Sequence, residues 1–277
     1  MKSYAALMVD IEKSRKYERV ERQALQERLL RCLEFLNRLF APSLLIRVGF
    51  SAGDEFQGLF SAPAAAYRYF RVLDSLTAPV PLRMGIGVGD WTLRVEGGQS
   101  TEQDGTAYHR ARRAIGLAEE AGGKAALLTD TAADVFANEF LIREHEMRVA
   151  LTLKQRQLLV LTEVMVPVLL QDEMDPSVFP DIEMLMKDHP LYQSKGDIFD
   201  FDKVSVVEWI TDDPADGQGV LRRFRTLRGL PGRLADITGE SRQNIANIMR
   251  AGNLSGIRDQ EMVILRWLDT LLEEDAT

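Results

Sequence analysis

The stretch VGFSAGDEFQGLF, residues 48–60, has the pattern of two short strands joined by a tight turn. Apolar and small residues alternate along it, and a glycine, Gly53, stands immediately before two adjacent acids, Asp54 and Glu55. Glycine followed by aspartate between apolar runs predicts a β-hairpin. Two interpretations of the acids are open. The first is that they are solvent-exposed turn residues that favour solubility. The second is that they bind a metal ion, which itself binds a phosphate.

Strand and helix patterns alternate on both sides of this hairpin. An apolar run at 4–9 predicts a buried strand, and leucines at helical spacing predict a helix over about 18–40 that Pro42 ends. After the hairpin we expect a helix, a strand, a helix and a strand, at about 63–76, 81–91, 107–121 and 125–130. The resulting order, β-α-β-β-α-β-α-β, predicts an α/β (α+β) domain in which helices pack on a sheet.

Composition limits the classes of protein to consider. Hydrophobic residues make up 45% of the 277 residues and charged residues 27%, so the chain can bury a core. The net charge of −8 argues against a surface that coats nucleic acid or anionic membrane throughout. The single cysteine, Cys32, excludes an internal disulfide, and its leucine neighbours predict that it is buried. No apolar run approaches the roughly 18 residues of a membrane span, so we expect a cytoplasmic protein without a membrane partner.

The pattern changes after the predicted sheet domain. A helix is expected over 151–170, but 171–203 is dense in Asp, Pro and short apolar pairs and predicts a loop-rich connection. We therefore expect three parts: a sheet domain at 1–142, a helical and loop-rich connecting region at 143–219, and a C-terminal module at 220–277.

The C-terminal module is basic in an acidic protein. Residues 220–258 hold eight arginines against two acidic residues, a balance of +6, so the rest of the chain carries −14. Within it, residues 230–254 predict helix, turn, helix: Pro231 begins the first helix, Gly239 ends it, and Ser241 caps the second.

Residues 234–250, LADITGESRQNIANIMR, resemble the helix-turn-helix of bacterial regulators. The resemblance implies that the second helix contacts DNA, since such side chains contact base edges and phosphates. The alternative is a polar helical hairpin used for packing or dimerisation. The final helical segment, 257–274, is a candidate dimer interface. The predicted DNA-contacting residues are Arg242, Gln243, Asn244, Asn247 and Arg250.

A partner for the acidic hairpin comes from the end of the first strand. If that strand pairs with the hairpin, Asp10 lies beside Asp54, and two carboxylates with phosphate oxygens and waters suffice for Mg²⁺ or Mn²⁺. The backbone carbonyl of Ile11 is a further candidate ligand. In the loop that follows, Lys13 and Ser14 are placed to meet phosphates ahead of the first helix.

The ordered motifs SAGDEFQGLF, LRMGIGVGD and DGTAYHRAR resemble those of the SatD family, a bacterial cytosolic family with a C-terminal helix-turn-helix. Residues 4–130 also resemble the palm-like, ferredoxin-like domains of class III nucleotidyl cyclases and GGDEF diguanylate cyclases. The cyclase resemblance implies that Asp10 and Asp54 bind metal. It also implies that Gly53 and Glu55 adjoin the nucleotide, although Glu55 is equally explained as a supporting, salt-bridged acid.

The same resemblance assigns two residues of the predicted helix at 107–121 to catalysis. His109 stands where the cyclases have an asparagine, and Arg113 stands where an arginine steadies the transition state. A capping histidine and a solvated basic face are the alternatives. Lys124, after two glycines, is a candidate contact for terminal phosphates or a lysine that offsets a helix dipole. The glycines of the strand at 81–91 predict close backbone packing, or else approach of a nucleotide.

Departures from the cyclase pattern leave two functions open. Ala52 replaces the first glycine of GGDEF, His109 replaces the asparagine, and the lysine and aspartate that recognise adenine are not found. The first hypothesis is an enzyme that forms a cyclic nucleotide or related product from a nucleoside triphosphate. The second is a catalytically inactive regulator that binds a nucleotide and DNA. Both predict a homodimer, since cyclase sites lie between protomers.

Overall fold

The computed structural model describes residues 3–170, 172–193, 199–211 and 229–273. The strands in these residues are β1 (Tyr4–Ile11), β2 (Leu44–Ala52), β3 (Glu55–Phe60), β4 (Leu82–Gly89), β5 (Ala125–Leu128), β6 (Val168–Leu169) and β7 (Ile210–Thr211). The helices are α1 (Arg19–Leu39), α2 (Pro63–Thr77), α3 (Thr106–Glu120), α4 (Ala133–Val149), α5 (Leu153–Met165), α6 (Ile182–Lys187), α7 (Leu230–Thr238), α8 (Arg242–Ala251) and α9 (Leu254–Glu273). The predicted element order from β1 to β5 is confirmed.

The first five strands form a sheet in the order β2-β3-β1-β4-β5. The central strand β1 is antiparallel to both neighbours, with Val9 opposite Phe56 in β3 and Asp10 opposite Arg83 in β4. Strand β5 is parallel to β4, and α3 connects the two. Because β1 pairs directly with β3, the end of β1 lies beside the β2–β3 turn.

Side chains of β1 alternate between two apolar layers. Ala5, Leu7 and Val9 pack into the layer that includes α1 and α2, whereas Ala6 and Met8 pack under α3 on the opposite face. A strand that is apolar on both faces needs helices on both faces, which explains the continuous apolar run at its start. Cys32 of α1 is buried in the first layer, as predicted.

The glycines of β4 allow α3 to approach the sheet closely. A Cβ atom at Gly87 would lie well under 3.0 Å from backbone atoms of Ala107 and Ala111 in α3, and one at Gly85 would meet Ala111 and Ile115 similarly. Glycine is therefore required at these positions by the helix backbone. Of the two interpretations of this strand, the structure supports close packing.

The middle of the chain is more ordered than the sequence suggested. The helix expected over 151–170 ends at Met165, after which β6 pairs in parallel with β7. The segment expected to be a loop-rich connection contains α6 and short 3₁₀ helices, and it buries Phe179, Met186 and Tyr192 in the main core. The predicted domain limit at residue 142 lies inside α4.

The last helix, predicted as a candidate dimer interface, packs against its own chain through part of its surface. Ile257, Ile264 and Leu268 of α9 are buried in the main core. Arg68 of α2 forms an ion pair with Glu261 of α9, and both side chains are almost fully buried. The apolar side of α9 is thus already covered, because α2 and α4 pack on it.

Helices α7 and α8 follow each other in the C-terminal region and are separated by residues 239–241. Gly239 adopts a left-handed conformation (φ 71°) at the end of α7, and Ser241 caps α8 by accepting a hydrogen bond from the Asn244 amide at 3.2 Å. Arginines 222, 223, 225 and 228, half of the predicted basic charge, lie outside the described residues. No helix within the described ranges is long and apolar enough to cross a membrane.

Candidate functional site

The turn between β2 and β3 sets the position of the acidic pair. Ala52 pairs with Glu55, so only Gly53 and Asp54 form the turn, and Gly53 has a φ of 63°. A two-residue hairpin turn that starts with a positive φ favours glycine at its first position. Asp54 therefore lies in the turn at one end of the strands, immediately before β3, which pairs with β1.

Asp10 has one carboxylate oxygen in an ion pair and the other without a partner. Arg83 Nη1 lies 3.1 Å from Asp10 Oδ2 and 3.5 Å from a Glu119 oxygen on α3. Asp10 Oδ1 is buried and has no hydrogen-bond partner among the described residues. Burial raises the pKa of Asp10, and the charges of Glu119 and Asp54 raise it further, so the effect of Arg83 is outweighed. The site thus holds a carboxylate that pairs with Arg83 through one oxygen only.

Glu55, in contrast, is fully paired. Arg112 of α3 donates through Nη1 and Nη2 to the two Glu55 oxygens, and the Ser51 hydroxyl donates to Oε1 at 2.8 Å. Burial alone would raise the pKa of Glu55, but these hydrogen bonds outweigh it and lower the pKa. Glu55 therefore has the supporting, salt-bridged role that was one of its two interpretations.

The acids and arginines lie on the face of the sheet that α3 covers. Asp10, Arg83 and Glu55 follow the alternation that directs Met8, Gly85 and Leu59 toward α3. The charge of Asp54 acts on both Asp10 and Glu55, which places all three acids in one electrostatic group. This end of the face is therefore charged, whereas most of the remaining buried side chains on it are apolar.

The loop after β1 adds polar groups beside Asp10. Ile11 is the last residue of β1, and Lys13 adopts a left-handed conformation (φ 56°) immediately before the 3₁₀ helix Ser14–Lys16. The side chain of Lys13 is exposed and that of Ser14 is half-buried. A non-glycine residue with positive φ is uncommon, so this loop holds a defined bend next to the acids.

The two residues assigned to catalysis by resemblance have other partners. His109 Nε2 lies 3.1 Å from Asp104 Oδ1, and Arg113 lies 3.0 Å from Asp130 beyond β5. Arg110 also pairs with Asp130, at 2.9 Å. The face of α3 that meets the acids carries Arg112 instead.

Lys124 is likewise separated from the acids. It lines a cavity with Arg71 and Asp74 of α2, on the face of the sheet opposite α3. The predicted nucleotide contacts therefore divide into two places: Lys13, Ser14, Gly53 and Glu55 lie near Asp10, and Lys124 does not.

Two carboxylates are a small ligand set for a metal ion. No group of three or more His, Cys, Asp or Glu side chains with ligand geometry occurs in the part of the chain that the structure describes. A site built on Asp10 and Asp54 would therefore need phosphate and water oxygens, which is the usual coordination of Mg²⁺ in proteins. The unpartnered Oδ1 of Asp10 fits such a cation.

The residues predicted to contact DNA share one helix face. Ile245 and Met249 of α8 are buried, whereas the residues predicted to contact DNA are exposed. Arg250 donates to the Asn247 side chain at 3.1 Å, and Asn244 donates to Glu240 at 2.9 Å. The exposed residues are Arg242, Gln243, Asn244, Asn247 and Arg250.

The fold and site define a mixed α/β protein with a five-stranded sheet, an acidic group at one sheet edge and a helical C-terminal region. The family model described as the SatD family matches residues 4–165. Because this match covers more than half of the chain, the chain belongs to the SatD family. No curated protein matches the sequence.

Sequence reasoning did not select Arg83 and Arg112 as site residues. Arg83 alternates with the glycines of β4, so a strand assignment places it on the glycine face. Arg112 follows Ala111, one of the small residues that α3 buries against β4. The periodicity of each element thus predicted the face on which each arginine lies. The pairing of Arg83 with Asp10 and of Arg112 with Glu55 also depends on how β4 and α3 are placed against the other strands.

Proposed function

We propose that this protein binds a nucleoside triphosphate through Mg²⁺ or Mn²⁺ held by Asp10 and Asp54. One observation carries the proposal: Asp10 Oδ1 is buried and lacks a hydrogen-bond partner among the described residues, while Asp54 adds negative charge beside it. A buried carboxylate oxygen without a donor is costly unless a cation or donor joins it. A divalent cation would satisfy both carboxylates.

The remaining contacts follow from the surrounding residues. The Ile11 carbonyl is the third protein ligand of the proposal, and the metal would supply charge neutralisation for phosphate oxygens. Lys13 and Ser14 in the bend after β1, and the Gly53 backbone in the hairpin turn, are the proposed phosphate contacts, because they follow Asp10 and precede Asp54 closely in the chain. Arg83 and Arg112 are positioned to donate to the same phosphates if they leave Asp10 and Glu55.

Strand order supports this proposal. β1, β2, β3 and β4 with α1 and α2 form a β-α-β-β-α-β unit in the order β2-β3-β1-β4, with both helices on one face. This is the ferredoxin-like arrangement expected of a palm-like domain. In such a domain the metal-binding acids stand at the end of the first strand and on the hairpin, where Asp10 and Asp54 are found.

Binding is favoured over cyclisation by the positions of His109 and Arg113. An arginine that stabilises the transition state must reach the α-phosphate. Arg113 instead pairs with Asp130, which follows β5. We therefore propose a nucleotide-responsive protein first. Turnover to a cyclic nucleotide would require Arg112 or Arg83 to perform the task assigned to Arg113.

The test is nucleotide-dependent stabilisation of the full chain. We expect MnATP or MnGTP to raise the Tm of the wild type, and expect Asp10→Asn and Asp54→Asn to abolish the shift. Asp172→Asn, at an exposed aspartate with positive φ away from the site, is the control. The same mixtures are assayed for pyrophosphate and cyclic product. Equal stabilisation of all variants, or none of the wild type, would contradict the proposal.

A second function, DNA binding, is supported by the exposed polar face of α8. Five side chains able to contact bases or phosphates lie on it, and α8 is held from behind by Ile245 and Met249. A cytoplasmic homodimer that pairs two such modules is part of this proposal. In gel-shift titrations we expect Arg242→Gln and Arg250→Gln to weaken binding, and Arg143→Gln, on the exposed side of α4, to leave it unchanged. Binding must weaken steeply with salt.

A further inference from the structure

A cavity of about 70 Å³ lies on the face of the sheet opposite the acidic group. α2, α4 and α5 surround it, together with the start of β5. A water needs about 10 to 15 Å³ of such volume, so the cavity has room for about five waters, or for one tetrahedral oxyanion. Partly exposed side chains, Lys124, His145 and Arg156, lie at its mouth.

The lining of this cavity is cationic. In the described structure its charged side chains are Arg71, Lys124, Arg148 and Arg156 against Asp74 and Glu144. His145 does not add to the positive charge at neutral pH, because burial and Lys124 lower its pKa. The lining therefore has an excess of two positive charges in a partly enclosed space, where charges are weakly screened.

Deeper buried groups do not remove this excess. Behind the cavity, Arg68 and Arg258 face Glu163 and Glu261, and these four charges balance. Arg148 reaches into that group, with Nη2 at 2.8 Å from Glu163. The four buried charges behind the cavity therefore sum to zero, and they do not cancel the two excess positive charges of the cavity lining.

Two buried side chains of α2 carry donor atoms that have no acceptor in the part of the chain that the structure describes. Arg71, whose side chain is 5% exposed, donates through Nη1 to Asp74 at 3.1 Å. Its Nε and Nη2 make no hydrogen bonds in the described residues, although Nε lies 3.4 Å from Glu144. The Tyr67 hydroxyl, one helical turn earlier, is also buried without a partner there. Residues four apart share a helix face, and both line the cavity. Buried donors without acceptors are costly, so an acceptor is expected.

We propose that this cavity binds a small oxyanion, either inorganic phosphate or the phosphoryl group of a larger molecule. Arg71 and Tyr67 donate to it from the interior, and Lys124 closes the mouth. The proposal is independent of the nucleotide site, since the two sites lie on opposite faces of the sheet. It also gives Lys124 a phosphate partner other than the one inferred from sequence.

Titration calorimetry of the full chain with inorganic phosphate, without metal and at constant ionic strength, tests this site. We expect saturable binding that Lys124→Gln and Tyr67→Phe weaken, by about tenfold for the lysine because it removes a charged donor. Lys187→Gln on α6, a remote surface lysine, is expected to bind as the wild type does. A phosphomonoester such as glycerol 2-phosphate distinguishes a free anion from a phosphoryl group.

Two results would overturn the site. The first is no phosphate binding by the wild type, which would mean that waters satisfy Arg71 and Tyr67. The second is equal binding by the wild type, Lys124→Gln and Tyr67→Phe, which would place the anion elsewhere on the surface. Tyr67→Phe removes one oxygen and keeps the ring, so we expect this variant to fold. Circular dichroism checks its folding before titration.

Discussion

Arg112 of α3 donates through both terminal nitrogens of its guanidinium group to the carboxylate of Glu55 in β3. This pair joins the helix to the hairpin whose acids first suggested a phosphate site. The next residue, Arg113, is the one that resemblance assigns to catalysis, and it pairs with Asp130 instead. Two adjacent arginines of α3 therefore have different partners: Arg112 contacts the acidic group, and Arg113 contacts Asp130 after β5.

This difference predicts different effects for two adjacent substitutions. Arg112→Gln removes hydrogen bonds that lower the pKa of Glu55 and leaves its burial unchanged, so we expect that pKa to rise. We also expect nucleotide affinity to fall about tenfold, the effect of losing one charged contact. Carbon-13 NMR of the labelled glutamate carboxyl groups follows the first effect, and thermal shifts with MnATP follow the second.

Arg113→Gln is the matched control. It leaves the Glu55 contacts intact, so both the titration of Glu55 and the nucleotide-induced shift should be unchanged. The opposite result, loss of nucleotide response in Arg113→Gln alone, would restore the role implied by the cyclase resemblance.

Close packing of α3 on β4 predicts that Gly87→Ala is destabilising. The added methyl group would displace the α3 backbone at Ala107 and Ala111, and overpacking of this kind costs about 1 to 3 kcal/mol. Gly116→Ala, within α3 but with no atom within 4 Å of the added Cβ, should stabilise by about 0.5 to 1 kcal/mol. Urea unfolding of both variants measures the difference, and similar values for the two would contradict this account of the glycines.

The buried ion pair between α2 and α9 predicts a large loss of stability for Glu261→Gln. Removing one partner leaves Arg68 and Arg258 buried with less counter-charge, which costs about 3 to 5 kcal/mol at neutral pH. Burial alone would raise the pKa of Glu261. The charges of Arg258, Arg68 and other arginines outweigh burial, so the pKa is lowered. Its stabilising contribution is therefore fully present above the unfolded pKa, near 4.5, and is lost progressively as the pH falls from that value through the folded pKa of about 2.

The gap between the wild type and Glu261→Gln should accordingly narrow in acid. Denaturant unfolding at pH 7 and pH 4 measures it. Glu146→Gln, in an exposed pair with Arg143, should change stability by less than about 1 kcal/mol. A gap that is constant with pH would show that Glu261 contributes through packing alone.

Glu173 predicts a pH dependence of opposite sign. Burial and the charge of Asp269 raise its pKa to about 7. A raised carboxyl pKa contributes stability that is fully present below the unfolded value, near 4.5, and is lost as the pH rises through about 7. Glu173→Gln mimics the protonated form, so we expect it to gain about 1 to 3 kcal/mol on the wild type between pH 5 and pH 8.

Urea unfolding at these two pH values provides the measurement. Glu34→Gln, on the exposed side of α1, is the control for loss of a charge. If Glu173→Gln and Glu34→Gln show the same change between pH 5 and pH 8, Glu173 does not titrate as its burial implies.

Local patterns predicted most of the first half of the fold. The limits of α1 and α2 lie within about two residues of those expected from leucine spacing, Pro42 and Pro63, because helix periodicity and its end signals are short-range. The segment 171–203 was harder, since its buried residues contact α1 and α5 far away in sequence. The charge network around Arg68 and Glu261 carries no local signature at all.

The sequence by itself determined the order of elements from β1 to β5, the glycine turn that carries Asp54, and the placement of Asp10 at the end of the first strand. Only the tertiary structure decided which arginine of α3 faces those acids and that Lys124 lies on the opposite face of the sheet. The physical reason is rotation: α3 turns about its axis until its small residues fit the glycines of β4. That fit depends on a contact between two elements, and neither element specifies it alone.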